Sequence, residues 1–138
     1  MHNFKNPHKK YIAAAIIEKD GKIFIAQRAG KNDAFNGLWE FPGGKVESDE
    51  TLLECLQREL YEELDIHAQI GDYFCTSTFE HKGFVYDMCV FKVNFYEGEI
   101  KLQEHSACAW VTIDQLSDYS YPAPDLPIIA LLQKAKSI

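Results

Sequence analysis

Apolar positions recur along the chain with a strand-like period, then a helix-like one, then a strand-like one again. From Lys9 to Glu18 nearly every residue is apolar, with Ala and Ile dominant, which predicts a buried strand. Asp20-Gly21 carries the chemistry of a two-residue hairpin turn. Lys22 to Arg28 is the returning strand, with Ile23, Ile25 and Gln27 alternating against Phe24, Ala26 and Arg28. Ala29 to Gly37 reads as a polar loop, and Leu38 to Phe41 as a short extended piece entering the turn Pro42-Gly43-Gly44. At about 100° per residue, Leu53, Leu56, Leu60 and Leu64 then fall on one side of a helix. Ser48 is its expected N-cap, with Asp49 and Glu50 in the first turn.

After the helix, Ala68 to Glu80 and Phe84 to Tyr96 read as two longer strands joined by His81-Lys82-Gly83. Glu97 to Gln103 is a loop or irregular edge, and Ser106 to Val111 a short strand. Thr112 to Asp118 reads as a helical turn capped by Thr112 or Asp114. The rigid connector Tyr121-Pro122-Ala123-Pro124-Asp125 leads into a last helix, Leu126 to Lys136, with Ile128, Leu131, Leu132 and Ala135 as its core positions. The first eight residues read as a frayed tail. This order predicts an α+β fold, a mixed sheet flanked by two helices.

Composition narrows the classes. At 138 residues, 46% of them hydrophobic, the chain suits a single domain over 1–138 with one core. A formal charge of −7 argues against a protein that grips a nucleic acid polymer by its backbone. It leaves a nucleotide substrate open, because a bound cation inverts the local charge. Cys55, Cys75, Cys89 and Cys108 form no CxxC pair and read as ordinary thiols of a reducing compartment. The N-terminus resembles no signal peptide, and the longest apolar run, Tyr11 to Ile17, is too short to span a bilayer. A soluble, cytoplasmic protein is expected.

The candidate chemistry lies on the first helix. Glu59, Glu62 and Glu63 meet there, since residues three and four apart are neighbours on a helix surface. Such a run is commonly a solvated acidic face paired with Arg58 and lysines. Three carboxylates held that close repel one another unless a cation sits between them, and oxygen-only clusters suit Mg²⁺. The spacing decides between these readings. Gly44, Glu50, Arg58, Glu59, Leu60, Glu62, Glu63 and Ile66 match the Nudix box, and the chain resembles Nudix hydrolases of the MutT-like branch. Six polar or glycine matches at about one in fifteen each would arise by chance roughly once in ten million start points. Asp65 departs from the box, standing where the family has glycine near the helix end. Asp tolerates the left-handed conformation better than most residues, and no metal ligand is lost.

The resemblance extends through AAIIEKDGKIFIAQR, GLWEFPGGKVE and YPAPDLPI, and implies an α/β/α sandwich. It implies metal ligation by the Gly43 carbonyl, Glu59, Glu62, Glu63 and Glu104, with the general base open among Glu59, Glu62 and Glu104. Arg58 joins the catalytic set by holding the glutamates, and Glu50 is equally a capping carboxylate. Arg28 is a phosphate ligand or one half of a surface salt bridge; Lys45 is a second phosphate candidate. Asp125 touches the base, caps the last helix, or does both. Phe79 is a stacking candidate, with Phe41, Phe84 and Tyr121 as others. The implied reaction is Mg²⁺-dependent hydrolysis, with Mn²⁺ as a substitute, of a nucleoside triphosphate to monophosphate and pyrophosphate. CTP, modified dCTP or an oxidised purine nucleotide such as 8-oxo-dGTP would be the substrate, in a monomer or homodimer that binds neither nucleic acid nor membrane. The alternatives are hydrolysis of a nucleotide sugar or dinucleoside polyphosphate, and a non-catalytic nucleotide-binding module.

Overall fold

The computed structural model describes residues 8–29 and 37–136. Most of the expected loop after Ala29, and all of the expected N-terminal tail except His8, lie outside them. His8 is tied down: Val85 N donates to its carbonyl at 2.7 Å.

The buried strand β1 (Lys9–Lys19) runs through the middle of a seven-stranded mixed sheet. It pairs parallel with β7 (Phe84–Val93) over nine register positions. Its remaining hydrogen bonds are divided between β2 (Lys22–Arg28), at Glu18 and Lys19, and β4 (Gly43–Lys45), at Ile12 to Ala14. Strand β6 (Tyr73–His81) pairs with β7. Strands β3 (Trp39–Glu40) and β9 (His105–Val111) both pair with β2. The turns are those that the sequence predicts: Asp20-Gly21 and Lys82-Gly83 all take positive φ.

Alternation along the central strands separates two cores. Ala13, Ala15, Ile17, Phe24 and Ala26 pack against α1 (Leu52–Leu64). Ala14, Ile16, Ile23 and Ile25 face the opposite layer, where Ile128, Ile129 and Leu132 of α2 (Leu126–Lys136) close the core. The expected sandwich is therefore present. No helix among the described residues is long and apolar enough to cross a membrane.

Several local expectations are corrected. Helix α1 is capped by Thr51, not Ser48: Thr51 and Glu54 form a reciprocal capping box, and Asp49 at φ 69° breaks the chain before it. Leu53 stays 46% exposed, and the buried face is Cys55, Leu56, Leu60, Glu63 and Leu64. Asp65 takes the left-handed C-cap at φ 61°, as the sequence predicts for a residue in the box glycine's place. The two long strands after α1 each break in two. Gly71 and Asp72 divide β5 (His67–Gln69) from β6, and Asn94 divides β7 from β8 (Phe95–Glu97), so that β5 and β8 form a separate two-stranded sheet. Gly71 lies so close to the Lys92 carbonyl that an added Cβ would sit 2.8 Å from it. In α2, Ile129 is buried, whereas Leu131 and Ala135 are exposed.

Gly43 is where the fold tolerates no side chain. Its φ is 153°, and a Cβ would lie 2.0 Å from the Ala13 carbonyl oxygen of β1. Gly83 has φ 84° and nothing within 4 Å. Gly83→Ala is therefore expected to cost about 1–2 kcal/mol, the ordinary left-handed penalty, and Gly43→Ala about 2–4 kcal/mol. Urea midpoints measure both; equal losses would show that close backbone approach is not what Gly43 provides.

Candidate active site

Two tight contacts bring the acidic helix to the glycine turn. Strand β4 lies along β1, and Cys55 of α1 donates to the Gly44 carbonyl at 3.5 Å. An added Cβ on Gly44 would meet the Glu59 carboxylate at 2.3 Å, so the missing side chain is the cradle in which that carboxylate sits. On the outer side Arg58 gathers the acids. It donates to both oxygens of Glu50 (2.5 and 3.1 Å), and its Nη1 donates to Glu59 and Glu62, each at 3.1 Å. This holds the Glu50 carboxyl below the usual range. Glu50 also accepts from Glu47 N at 2.9 Å, closing the loop ahead of the helix instead of occupying its first turn.

Behind Arg58 lies a cavity of about 220 Å³ whose lining includes Arg28, Glu40, Gly43, Glu59, Glu63 and Glu104. Glu63 is 4% exposed. Its Oε1 has no hydrogen-bond partner among the described residues. Burial, the adjacent Glu59 carboxyl, and the charges of Glu59, Glu40 and Glu104 push its carboxyl far above the usual range. Such a group is stable only when protonated or beside a cation. The all-oxygen donors, the buried orphan oxygen and the Gly44 cradle together fit a divalent ion. Glu62 differs in placement: it is half-exposed, bound to Arg58, and outside the cavity lining.

Glu40 is linked in this cavity to a further lining residue, His105. His105 Nε2 hydrogen-bonds Glu40 Oε2 at 2.8 Å, and Glu40 Oε1 accepts from Arg28 Nη1 at 3.1 Å. Strand β2 makes this possible, since its neighbours β3 and β9 carry Glu40 and His105 to either side of Arg28. The sequence reading overlooked both. The available signal was a carboxylate flanked by Trp39 and Phe41 just before the glycines, and a histidine directly after Glu104.

Arg28 also lines a second cleft, of about 580 Å³, with Lys45, Phe79, Tyr86 and Pro124. Phe79 stacks on Tyr86 at 5.2 Å, and Lys45 Nζ sits 5.4 Å from the Tyr86 ring centre. Ser77 Oγ donates to the Pro124 carbonyl at 2.8 Å, fixing one wall. Of the other stacking candidates, Phe41 and Tyr121 pack in the α2 core, and Phe84 lies under Lys10. Asp125 is 6% exposed, inside a 3-10 turn that runs directly into α2. Pro122 holds the N-cap position of that turn. A larger cavity of about 830 Å³, near Lys19 and Trp110, contains none of the clustered carboxylates and is no rival on chemical grounds.

Comparison with known proteins agrees with this fold. Residues 7–132 match the model of the NUDIX domain family. The chain is 40% identical over 118 residues to the CTP pyrophosphohydrolase of Escherichia coli (strain K12), covering 86% of this chain and 87% of that protein. It is 36% identical over 124 residues to the 8-oxo-dGTP diphosphatase of Buchnera aphidicola subsp. Schizaphis graminum (strain Sg), covering 89% and 92%. The solution structure of the E. coli ORF135 protein superposes with a TM-score of 0.87 at 34% identity, covering 99% of this chain and 96% of that one.

Burial and then the Glu40 charge, opposed by Arg28, push the Asp125 carboxyl up to about 7 from an ordinary 3.8. The unfolded chain releases this proton near pH 3.8 and the folded chain near 7, so Asp125 lowers stability progressively as pH rises across that window. Asp125→Asn, with metal chelated, is expected to be about 2–4 kcal/mol more favourable relative to wild type at pH 8 than at pH 4. Denaturant unfolding at the two pH values measures this, and a pH-independent difference would rule it out.

Proposed function

The chain belongs to the Nudix hydrolase family, and on that footing we propose that it is a Mg²⁺-dependent pyrophosphohydrolase that converts a nucleoside triphosphate to monophosphate and pyrophosphate. One observation carries the reading: Arg28 lines both the carboxylate cavity and the aromatic cleft, so a single elongated anion can occupy the two together. Glu59, Glu62, Glu63, Glu104 and the Gly43 carbonyl would hold the cation. When bound, it would screen the polyphosphate and lower the pKa of a water.

The side chains divide the remaining work. Arg58 keeps Glu59 and Glu62 together without entering the cavity. Arg28, shared by both cavities, and Lys45 in the aromatic cleft offer positive charge to the phosphates, and Phe79 offers a flat face to a base. Asp125 follows Pro124 of the cleft wall, and its carboxyl suits the exocyclic amino group of cytosine or the ring N–H of an oxidised guanine. The similarity to a CTP pyrophosphohydrolase and to an 8-oxo-dGTP diphosphatase supports these two nucleotide classes.

Pyrophosphate release from a panel of CTP, modified dCTP, 8-oxo-dGTP and unmodified purine triphosphates is the test, with Mg²⁺ and with EDTA. Turnover is expected to require Mg²⁺ and to favour a cytosine or oxidised-guanine nucleotide. Glu59→Gln should lower kcat by about a hundredfold or more with the fold retained. Undiminished turnover in EDTA or in that variant would overturn the reading.

A further inference from the structure

We propose that Glu40, Glu63 and His105 form an inner cation position with mixed oxygen and nitrogen ligands, suited to a first-row divalent ion such as Mn²⁺. It rests on the function proposed above, because Glu63 would be shared with the all-oxygen position assigned there to Mg²⁺.

The three side chains come from three separate elements, β3, α1 and β9, and one ligand atom of each lies within 4.8 Å of the other two. Glu40 Oε2 is 2.8 Å from His105 Nε2, which is 3.9 Å from Glu63 Oε1. An ion with ligand bonds of about 2.1 Å places adjacent ligand atoms roughly 3 Å apart and opposite ones a little over 4 Å apart. The observed spacings bracket that pattern. The position is also enclosed, with side-chain exposures of 5% for His105 and Glu63 and 19% for Glu40.

No group among the described residues serves Glu63 Oε1. At 3.9 Å, His105 Nε2 is beyond hydrogen-bond reach of it and lies instead 2.8 Å from Glu40 Oε2. His105 Nδ1 has no partner among them either. Ligation through Nε2 needs the tautomer with the proton on Nδ1, so the ion takes the place of the His105–Glu40 hydrogen bond. The supporting contact is already present: Arg28 Nη1 holds the far oxygen of Glu40 at 3.1 Å and so fixes the plane of that carboxylate. Ligand chemistry then selects the ion. Carboxylate oxygens accept Mg²⁺ and Mn²⁺ alike, whereas an imidazole nitrogen favours the transition metal over Mg²⁺.

Electron paramagnetic resonance with Mn²⁺ as the probe tests this without recourse to turnover. Titration counts the bound ions, and electron spin-echo modulation reports whether a ¹⁴N nucleus is directly bound. The wild-type chain is expected to show nitrogen modulation, and His105→Gln to lose it while still binding Mn²⁺ at the all-oxygen position. Glu40→Gln, which retains an oxygen to accept from His105, should weaken the nitrogen-bearing position by about 10–100-fold. Bound Mn²⁺ without nitrogen modulation, or modulation that persists in His105→Gln, would overturn the inner position and leave the proposed function standing. Failure of the folded protein to bind Mn²⁺ at all would overturn both.

Discussion

A carboxylate buried among carboxylates is the constraint around which this molecule is arranged. Glu63 is almost fully enclosed, one of its oxygens has no donor among the described residues, and Glu59, Glu40 and Glu104 add like charge around it. Removing such a group from water costs several kcal/mol unless a proton or a cation compensates. A chain evolving for stability alone would place leucine there, as it does one turn earlier at Leu60. Keeping the acid at a core-facing helix position gives the cavity a standing affinity for positive charge. Arg58 does not relieve this, because it gathers the acids on the outer side of the helix and leaves the inner oxygen alone.

The sheet supplies the rigidity that holds the repulsion in place. Strand β1 is buried on both faces and fixed by nine parallel pairings with β7, so β4 can lie against it only where glycine removes the steric conflict. The two glycines then act differently. Gly43 meets backbone, which cannot move aside, whereas Gly44 meets the end of the Glu59 side chain, which can. One serves the fold and the other shapes the site. Strand β2 contributes separately, since pairing on both edges brings Glu40 and His105 to Arg28 from segments some 65 positions apart in the chain.

Features set by local chemistry were legible in the sequence: the hairpins at Asp20-Gly21 and Lys82-Gly83, the α/β/α layering from alternation in β1 and β2, and the left-handed residue at Asp65. So was the acidic helix, because its spacing is contained in one element. Long-range geometry hid the rest. Nothing local marks Glu40 or His105 as neighbours, because their adjacency exists only once β3 and β9 flank β2. At Gly71 and Asp72 the chain bonds to Lys92 of β7, at 2.8 Å each way, a long-range contact that the local pattern does not mark. The cap assigned to Ser48 failed for a different reason. Two plausible capping residues stand three positions apart, and the competition was settled by a left-handed Asp49 and by the reciprocal Glu54 contact to Thr51.

A net charge of −7 sits uneasily with an anionic substrate until distance is considered. Charges separated by more than about 8–10 Å are largely screened at physiological salt. What a polyphosphate meets at close range is therefore the local arrangement, not the total. That arrangement is Arg28 shared by the two cavities, Lys45 in the aromatic cleft and a carboxylate cluster in the other. Without a cation the cluster would repel the phosphates; with one it would attract them, and each ion added makes the next anion more favourable. On the proposed function, cation and nucleotide are thus coupled ligands of a site whose buried acid disfavours occupancy by either alone.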